Sequence, residues 1–583
     1  MAPENFLEVS FEVANQVGGI YQVLKSKSGK MQDFYGENYI TIGYYDEESA
    51  RDDFAPRGEH GFEDVFEELE SEYGIKCHYG VWNIKSSPRC ILVDASGLKK
   101  DLDEVKTVLW EEHGVDSIEA GPDFDEPVKW SYAVGKLIEK LETELEGDKV
   151  VQLHEWLSGT ALFEFSSPSV FTTHATVLGR TLASSDHDLR EIIEEGSASE
   201  KLAEENGVKA KHQLEKAAAE ESDVFTTVSK STGEEASAIL GVEPDKILPN
   251  GFNVREYPDL EELSYNHKEK KDDMKDFLQA YFEPYYDVDL ENDPRIMFIS
   301  GRYEFHNKGI DLLIDALGEV NKREGDEFFV FFFIPSDVEK ENVEVLENIS
   351  LFKELENFVD SVVPELRESM LNSITSGRDP MSNVSEVIED AGRVESLQSS
   401  FHSKKEGEPP LSAFELRHDS DQIIERMKER GLTNSEDDRV KVVFYPTYLS
   451  VGDKLLSMDY QDAIVASSAG IFPSYYEPWG YTPVETAANG ALSITTDMAG
   501  FGQFLQEKTE PDERKGIRIL ERENNSYEDS RQQLAGMIDD IVGYSKTEIT
   551  ERKHNARKLA QLTSWEKLGE NYREAHEIAV NSE

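Results

Sequence analysis

The stretch GIFPSYYEPWGYTPVETAANGALSITTDMAGF, residues Gly470–Phe501, decides the fold of this chain. An apolar strand, Ala469–Phe472, runs into a turn rich in tyrosine, proline and glycine, and a helix-like run follows the turn. Glu477 lies on the turn, and Glu485, eight residues later, lies in the first turns of the helix. The helix N-terminus near Thr482 offers free N–H groups and the positive end of a dipole, which suits a phosphate. We therefore expect both carboxylates to face one ligand-binding cleft, the alternative being a purely structural strand-to-helix corner.

The composition indicates a folded protein of two to four domains with a strongly acidic surface. The 583 residues include 60 basic and 119 acidic side chains, which give a net charge of −59 and a pI near 4.5. Apolar residues at 38% and aromatic residues at 10% are too frequent for a disordered acidic chain. Such a surface disfavours nucleic acids and anionic membranes as partners. We interpret the charge as adaptation to high salt, with an acidic binding face as the alternative.

The sequence contains two cysteines, Cys77 and Cys90, and they are not arranged as a metal site. No CxxC pair and no histidine-rich segment accompanies them, so a structural zinc is not expected. No signal peptide and no apolar run of about 18 residues is present. We therefore expect a soluble protein of the reducing cytoplasm that needs no metal.

Short apolar runs alternate with amphipathic segments in both halves of the chain. In the first half the predicted strands are Tyr39–Gly43, Cys90–Asp94, Val150–Leu153, Val170–His174 and Val224–Ser229. In the second half they are Ile296–Ser300, Phe328–Ile334, Val440–Tyr445, Ala469–Phe472 and Leu492–Thr496. Short buried strands with intervening helices predict parallel sheets covered on both faces. Two such series predict two doubly wound α/β domains, residues 1–290 and 291–560, joined near Asp287–Pro294, with the site in the crevice between them.

Polar residues follow several of the predicted strands, where an open sheet presents its ligand site. Gly18 and Gly19 form a turn before a helix, and paired glycines let backbone N–H groups approach a phosphate. Arg302 ends a strand and Lys308 precedes a helix, so the two cations can flank a diphosphate. The alternatives are an ordinary turn for the glycines and two solvated charges for the basic pair.

The string SYYEPWGYTPVE, which contains both glutamates, resembles the donor-site motif of glycogen synthases of the animal and fungal type, glycosyltransferase family 3. Other strings resemble the same family: EVANQVGGIYQVLKSK, HEWLSG, VFTTHATVLGR, LPNGF, ISGRYEFHNKGIDLLIDAL and MDYQDAIVASSAGIFPS. The resemblance covers residues 8–579. It implies the GT-B fold, in which two Rossmann-like domains enclose the active site. It also implies a helical insertion at about 336–405 in the second domain, and a C-terminal helix, 561–583, that packs back on the first domain.

Four catalytic roles follow from this resemblance. Glu477 would hold the sugar hydroxyls, and the backbone carbonyl of His174 would lie beside the reacting sugar carbon. Arg302 and Lys308 would stabilise the leaving diphosphate in place of a metal. The family usually carries a basic residue two positions before the glycine pair, where this chain has Gln16, so that position offers no charge to the donor phosphate.

Further binding roles also follow from the resemblance. The donor would be bound by Gly18, Gly19, Arg180, Asn250, Tyr460, Trp479, Gly480, Tyr481, Thr482 and Glu485. Within this set, Tyr460 would stack on the uracil, backbone N–H groups at Gly480–Thr482 would hold the diphosphate, and Glu485 would bond the ribose. Glu155 and Trp156 would lie on the acceptor side.

The implied activity is that of a glycogen synthase: retaining transfer of glucose from UDP-glucose to the non-reducing 4-OH of an α-1,4-glucan, without a cofactor. The expected partners are the nucleotide sugar, whose nucleotide can be UDP or ADP, the glucan acceptor, and further copies of the chain. The resemblance implies a homo-oligomer, which the insertion can assemble into a tetramer. The alternatives are a glucosyltransferase making a small osmolyte such as trehalose, a catalytically inactive glucan-binding protein, and a pyridoxal-phosphate glucan phosphorylase. Asp287-Val-Asp289 matches a glycosyltransferase metal motif, but chance explains such a match in so acidic a chain.

Regulated members of the family carry an arginine-rich helix that binds glucose 6-phosphate. The matching stretch here is ERKHNARK, Glu551–Lys558, in which only Lys553 and Arg557 are spaced to share a helix face. Few residues precede the first family string or follow the last predicted helix, so no long tail is expected for phosphorylation. We therefore expect at most weak activation by glucose 6-phosphate.

Overall fold

The computed structural model describes residues 3–58, 61–185, 187–196, 200–254, 257, 260–291, 293–381, 405–418 and 420–582. Residues 382–404 of the predicted insertion therefore lie outside the described part. Within the described ranges, no helix combines the length and the apolar character needed to cross a membrane.

The first domain is built on a sheet formed by the strands of the N-terminal half. These strands are β1 (Asn5–Val9), β2 (Tyr39–Tyr44), β3 (Phe54–Pro56), β4 (Lys76–Trp82), β5 (Arg89–Asp94), β6 (Lys149–His154), β7 (Ser169–Thr173), β8 (Val224–Thr227) and β9 (Lys246–Ile247). Their spatial order is β3-β4-β5-β2-β1-β6-β7-β8-β9. Every strand predicted for this half is present, which confirms the α/β architecture of the first domain.

The first sheet is parallel except at one edge. β3 pairs antiparallel with β4, and β4 pairs antiparallel with β5, so the prediction of a purely parallel sheet is wrong there. The connection between β4 and β5 spans only residues 83–88. A connection that short permits a hairpin, whereas a parallel pair needs a crossover of about a dozen residues or more.

Helices cover both faces of the first sheet and complete its core. They are α1 (Ile20–Tyr35), α2 (Glu47–Asp53), α3 (Glu63–Tyr73), α4 (Leu102–His113), α5 (Pro122–Glu144), α6 (Val177–Ala183), α7 (Leu189–Glu195), α8 (Glu200–Glu205), α9 (Lys209–Glu221) and α10 (Lys230–Ile239). The next helix, α11 (Leu260–Phe282), packs instead on the strands of the C-terminal half, where its Phe277 and Tyr281 share a buried cluster with Phe298 and Phe331. On one face, residues of α5 such as Trp130 and Leu137 pack with Leu7 and Val151 of the central strands. The helices on both sides explain why the strands read as nearly continuous apolar runs.

The second domain is built on the strands of the C-terminal half. These are β10 (Arg295–Ser300), β11 (Phe328–Phe333), β12 (Val338–Glu341), β13 (Phe414–Leu416), β14 (Val440–Phe444), β15 (Ala469–Ile471), β16 (Leu492–Thr496) and β17 (Ile517–Leu520). The order β14-β11-β10-β15-β16-β17 forms a parallel sheet, and β12 pairs antiparallel with β13 outside it. β11 reads FFVFFF, and all its residues are buried. This second sheet confirms the predicted pair of doubly wound domains.

Helices of the second half flank this sheet and extend beyond it. They are α12 (Ile310–Val320), α13 (Val343–Thr375), α14 (Gln422–Glu429), α15 (Tyr460–Ala466), α16 (Tyr481–Ala488), α17 (Gly500–Lys508), α18 (Tyr527–Gly543), α19 (Lys546–Ala560) and α20 (Trp565–Asn581). The described part of the predicted insertion begins with strand β12, so it is not wholly helical. α13 then follows for 33 residues; Val345 and Ile349 are buried near its start, whereas Val359 is 53% exposed.

The last helix, α20, packs on the first domain. Its Trp565 and Tyr572 share a buried cluster with Phe6 and Val150 of the first sheet. A Cβ at Gly251 would lie 2.3 Å from the Trp565 ring, so the close approach of this loop to α20 requires glycine. Helix α20 therefore completes the hydrophobic core of the first domain.

Candidate active site

Loops from both domains meet in a cleft. Residues that follow β7 and β10 line one cavity together with Tyr475, which follows β15. Hydrogen bonds cross between the domains: for example, Asn307 Nδ2 donates to Ser184 Oγ at 3.2 Å, and the Ser231 N–H donates to Gln503 Oε1 at 3.0 Å. Doubly wound sheets bind their ligands at the carboxyl ends of their strands, which is where this cleft lies.

Lys308 and Glu477 form an ion pair in the cleft. Lys308 Nζ lies 2.5 Å from Glu477 Oε2, and each side chain is only 17% exposed. Lys308 lies on the loop between β10 and α12, and Glu477 lies on the loop between β15 and α16. The structure therefore brings into contact two residues that the sequence predicted as catalytic.

The two loops that carry this pair hold each other in place. Gly309 has a φ of +67°, and a Cβ at this position would lie 1.9 Å from the Pro473 carbonyl oxygen. Only glycine combines that backbone conformation with so close an approach. The Tyr475 N–H donates to the Asn307 carbonyl oxygen at 2.8 Å. The distance between Lys308 and Glu477 is therefore set by backbone contacts as well as by the ion pair.

Arg302 lies on the same loop as Lys308 but points to solvent. Its side chain is 68% exposed, and Nη2 lies 2.9 Å from Glu304 Oε1. An exposed pair of this kind contributes little free energy. An anionic ligand in the cleft can therefore compete with Glu304 for the guanidinium.

Helix α16 begins at the cleft with free backbone N–H groups. Its N-cap, Gly480, has a φ of +100°, and the N–H groups of the first turn, including that of Thr482, have no partner within the helix. Glu485 lies one turn further along, and burial raises the pKa of its carboxyl group to about 7. Tyr460, which begins α15, makes a 2.7 Å hydrogen bond with Ser300 Oγ. These groups are compatible with the nucleotide position that the sequence predicted.

The side chains of Trp479 and Tyr481 pack away from the helix N-terminus. Trp479 is 4% exposed and packs against Phe501 and Phe504, with ring centroids 6.2 and 5.7 Å away. The Tyr481 hydroxyl donates to the Gly251 carbonyl oxygen at 3.3 Å. Contact with a donor at these two positions would therefore come from the backbone.

The glycine turn before α1 is occupied by a carboxylate that the sequence did not predict. Glu12 Oε2 accepts hydrogen bonds from the N–H groups of Gly18 and Tyr21, both at 2.9 Å. A Cβ at Gly18 would lie 2.8 Å from Glu12 Oε1, whereas no atom lies within 4 Å of a Cβ placed at Gly19. Burial raises the pKa of Glu12, although these hydrogen bonds oppose that shift. The helix N-terminus predicted to bind phosphate thus holds an internal anion.

Two further buried carboxylates cap helix α6. Glu235 Oε1 accepts from the Thr176 N–H at 2.9 Å and from the Thr176 hydroxyl at 2.7 Å. Glu215 Oε2 accepts from the Val177 N–H at 2.9 Å. Burial raises the pKa of Glu235 to about 6 and raises the pKa of Glu215 well above its ordinary value. The positive end of the α6 dipole stabilises whatever negative charge these groups carry.

Glu155 and Arg180 lie near the same helix. Glu155 is buried with a φ of +66°, and its Oε1 accepts from the His174 N–H at 2.9 Å. Burial by itself lowers the pKa of Arg180, but Glu155, Tyr476 and the carboxylates at the α6 N-terminus outweigh it and raise the pKa. The strained backbone at Glu155 thus places its carboxylate where it accepts the hydrogen bond from the His174 N–H.

Three other predicted residues are buried in the described structure. His174 is 6% exposed at the end of β7. Trp156 is 8% exposed and stacks on Phe124 at 5.9 Å, so its ring lies in the core rather than on an acceptor surface. Asn250 is 3% exposed, and its Oδ1 has no hydrogen-bond partner among the described residues.

The buried carboxylates Glu12, Glu215 and Glu235 were not predicted as site residues. Glu12 begins the glycine-pair string, but Glu215 and Glu235 lie in none of the quoted motifs, and a single glutamate carries no signal in a chain with 119 acidic residues. Their burial, which distinguishes them, is a tertiary property. Among the described residues, no three His, Cys, Asp or Glu side chains are grouped so as to hold a metal ion.

The family match and the curated relatives of this chain agree on one protein family. Residues 8–583 match the family described as Glycogen synthase. The chain is 33% identical to glycogen [starch] synthase isoform 1 of Saccharomyces cerevisiae, over 98% of this chain and 85% of that protein. It is 32% identical to the Neurospora crassa glycogen [starch] synthase and 31% identical to the human liver enzyme, in each case over 98% of this chain and 83% of the relative.

Among solved structures, the chain is similar to the catalytic domain of starch synthase IV from Arabidopsis thaliana, bound to ADP and acarbose. The TM-score is 0.49 at 13% identity, and the match covers 99% of both chains. A trehalose-6-phosphate protein of E. coli bound to UDP-2-fluoro glucose matches with a TM-score of 0.46 at 11% identity, over 99% of both chains.

Proposed function

The chain belongs to the glycogen synthase family of glycosyltransferases, and from that premise we propose that it transfers glucose from UDP-glucose to the non-reducing 4-OH of an α-1,4-glucan with retention. The observation that carries this proposal is the Lys308–Glu477 pair, 2.5 Å apart beside the free N-terminus of α16. A cation next to a helix N-terminus suits a diphosphate. A carboxylate next to that cation suits a sugar carbon that develops positive charge.

In the proposed complex, the donor diphosphate lies between Lys308, Arg302 and the first turn of α16. The two cations and the N–H groups at Gly480–Thr482 stabilise the charge that develops as the bond between the anomeric carbon and the phosphate oxygen breaks. No metal is assigned to the site, because these groups already supply the positive charge. Glu477 binds the sugar hydroxyls.

The acceptor attacks from the face that the diphosphate leaves. A bond forms between the anomeric carbon and the acceptor 4-oxygen, and the acceptor proton passes to the departing phosphate oxygen, so no side chain has to act as a base. The His174 backbone carbonyl lies beside the anomeric carbon and adds negative potential there. Closure of the domains excludes water, which would otherwise hydrolyse the donor.

The domains divide these tasks in the proposed complex. Residues 1–290 hold the acceptor side, residues 291–560 bind the nucleotide sugar, and the C-terminal segment 561–583 belongs with the first domain. Asn250 and Arg180 contact sugar or phosphate from the first domain. Tyr460 and Glu485 bind the nucleoside, and Glu155 supports the acceptor side through the His174 peptide. We place the reaction in the cytoplasm, in agreement with two unpaired cysteines.

A donor and acceptor panel tests this function. Purified protein is incubated with UDP-glucose or ADP-glucose carrying labelled glucose, and with glycogen, glucose or glucose 6-phosphate as acceptor. We expect incorporation into glycogen from UDP-glucose, persisting in excess EDTA. Label in a disaccharide would instead indicate the small-osmolyte activity, and absence of UDP release with every acceptor would indicate an inactive glucan-binding protein.

We also propose that the chain forms a homo-oligomer through α13. Several apolar side chains on this helix are more than a third exposed: Val359, Val363, Met370, Leu371 and Ile374. An apolar stripe on a 33-residue helix is costly in water and suits a second helix of the same kind. Light scattering of the wild type and of Val363→Glu/Ile374→Glu tests this, with a smaller particle expected for the variant.

A further inference from the structure

A chain of buried polar side chains connects the middle of strand β1 to His174. Glu8 Oε1 lies 3.1 Å from His154 Nε2, and His154 Nδ1 lies 3.0 Å from His174 Nε2. None of the three residues is more than 6% exposed. Lys27, with no side-chain exposure, is ion-paired with Glu8, and the Tyr39 hydroxyl donates to the other oxygen of Glu8. We call this arrangement the Glu8–His154–His174 chain.

The surroundings determine the charge of each group in the chain. Burial by itself raises the pKa of Glu8, but the Lys27 ammonium and the His154 hydrogen bond outweigh it and hold the pKa at about 2. Burial lowers the pKa of His154. Burial, together with His154, Lys27 and Arg180, lowers the pKa of His174 well below its ordinary value. At neutral pH the chain therefore consists of one carboxylate and two neutral imidazoles.

The direction of the hydrogen bonds follows from these charges. An ionised carboxylate only accepts, so His154 Nε2 carries the proton that it donates to Glu8. A neutral imidazole carries one proton, so His154 Nδ1 is an acceptor, and His174 Nε2 must donate to it. His174 Nδ1 is then left without a proton. Among the described residues, no group donates a hydrogen bond to this nitrogen.

We propose that Glu8 and His154 are positioning residues that hold His174 as a hydrogen-bond acceptor at Nδ1, so that this nitrogen receives a hydroxyl of the donor glucose. The inference rests on the proposed function, because His174 lies beside the donor sugar only in that complex. Glu8 acts through His154, and Lys27 keeps Glu8 ionised. A reversed chain would present an N–H group at the same point, and the hydroxyl would lose its acceptor.

Two pairs of variants test the direction of the chain. His154→Leu breaks both hydrogen bonds, whereas His154→Gln keeps an amide that donates to Glu8 and accepts from His174. Glu8→Gln combined with Lys27→Met removes both buried charges together, which avoids leaving either one unpaired. Glu8→Gln alone would strand the Lys27 ammonium in the core. Thermal unfolding midpoints identify the variants that fold.

The kinetic measurement uses UDP-glucose and UDP-deoxyglucoses that each lack one sugar hydroxyl, or the ADP series if the panel above selects ADP. For the wild type, we expect one deoxy donor to lose about tenfold in kcat/KM, the value of one hydrogen bond of about 1.4 kcal/mol. His154→Leu should lose a similar factor on the parent donor and no longer distinguish it from that analogue. His154→Gln should retain most of the discrimination. A His154→Leu enzyme with wild-type discrimination overturns the inference.

A spectroscopic measurement determines which ring nitrogen of His174 carries the proton, even where a variant is inactive. In protein labelled with ¹⁵N-histidine, the two ring nitrogens of His174 should appear with Nε2 protonated and Nδ1 unprotonated, assigned by comparison with His174→Asn. The double variant at Glu8 and Lys27 should show a mixture of tautomers. Protonation at Nδ1 in the wild type overturns the inference. Wild-type kinetics in His174→Ala would instead overturn the proposed position of His174 beside the donor.

Discussion

Glu477 and Lys308 hold each other at 2.5 Å across two loops, each with only 17% of its side chain exposed. Glu477→Gln keeps the shape of the side chain but removes the negative charge beside the developing sugar cation. We expect kcat to fall about 100-fold, which corresponds to about 3 kcal/mol at the transition state. Initial rates of UDP release with glycogen as acceptor measure the effect, and turnover near that of the wild type would contradict the assignment.

Glu341→Gln is a matched control for this variant. Glu341 Oε1 also pairs with a lysine, Lys454, at 2.8 Å, and its side chain is 27% exposed, but Glu341 lies on β12, outside the cleft. The control should keep wild-type kcat. Both variants should unfold within a few degrees of the wild type, since neither removes a buried apolar group.

The raised pKa of Glu485 predicts that the stability of the fold depends on pH. Burial raises its pKa from 4.5 to about 7 in the folded protein, so the fold binds this proton more tightly than the unfolded chain does. The resulting stabilisation is complete below pH 4.5 and is lost as the pH rises through about 7. Glu485→Gln should therefore gain stability relative to the wild type over this range, by up to about 3 kcal/mol. Denaturant unfolding at several pH values measures it, with exposed Glu551→Gln as control.

Residue identities in the cleft could be predicted where they belong to an unusual local string, as Lys308 and Glu477 do. The environment of a side chain could not be predicted, because it depends on segments that are far apart in sequence. Trp479 belongs to the motif, yet its ring packs on α17 instead of facing the cleft. Glu12 belongs to the glycine-pair string, yet that string does not reveal that its carboxylate occupies the N-terminus of α1.

Helices α12 and α14 are joined by a single buried carboxylate. Asp315 on α12 has no side-chain exposure, and both Arg426 and Arg430 bond it through two nitrogens each, at 2.7 and 2.8 Å. Asp315→Asn would remove the anion that both guanidinium groups bond, and among the described carboxylates Arg426 would keep only Glu429 Oε2, at 3.1 Å. We expect the free energy of unfolding to fall by about 3 kcal/mol. Asp540→Asn, which breaks an exposed pair with Arg518, should change it by less than about 0.5 kcal/mol.

Helix α19 carries the basic string that the sequence analysis linked to glucose 6-phosphate. Lys553 Nζ lies 3.3 Å from the Ser467 carbonyl oxygen, and burial, reinforced by Lys271, lowers its pKa to about 7. Arg557 contacts the Tyr257 carbonyl oxygen at 3.4 Å. Both side chains therefore have partners within the protein, and we expect coupling to glucose 6-phosphate of less than about 1 kcal/mol. A many-fold rise in initial rate, lost in Arg557→Ala, would contradict this.

Elements with a strong apolar pattern could be predicted from the sequence, and elements without one could not. The FFVFFF run of β11 is an unmistakable buried strand. Strand β1 was not predicted, because Glu8 interrupts its apolar residues, and partners distant in sequence, Lys27, Tyr39 and His154, make that carboxylate compatible with burial. Strands β3 and β9 are too short to produce a periodic signal.

The whole molecule carries a net charge of −59, and this charge predicts its response to salt. Counterions shorten the range of repulsion between surface carboxylates to about 3 Å at 1 M salt. We expect the unfolding midpoint and the activity to rise by a clear margin between about 0.1 M and about 2 M KCl. Thermal scans across this range test the proposed salt adaptation, and equal midpoints at both concentrations would count against it.

The packing of α20 on the first sheet has a consequence for biosynthesis. A ribosome releases the strands of the first domain early, but the helix that covers Phe6, Val150 and Val170 emerges only after the whole second domain. Until Trp565 and the residues after it are made, that face of the sheet has no permanent cover, however long the nascent chain pauses on the second domain. The first domain to be made is therefore the last to be finished, and a message truncated before Trp565 yields a product with an open core.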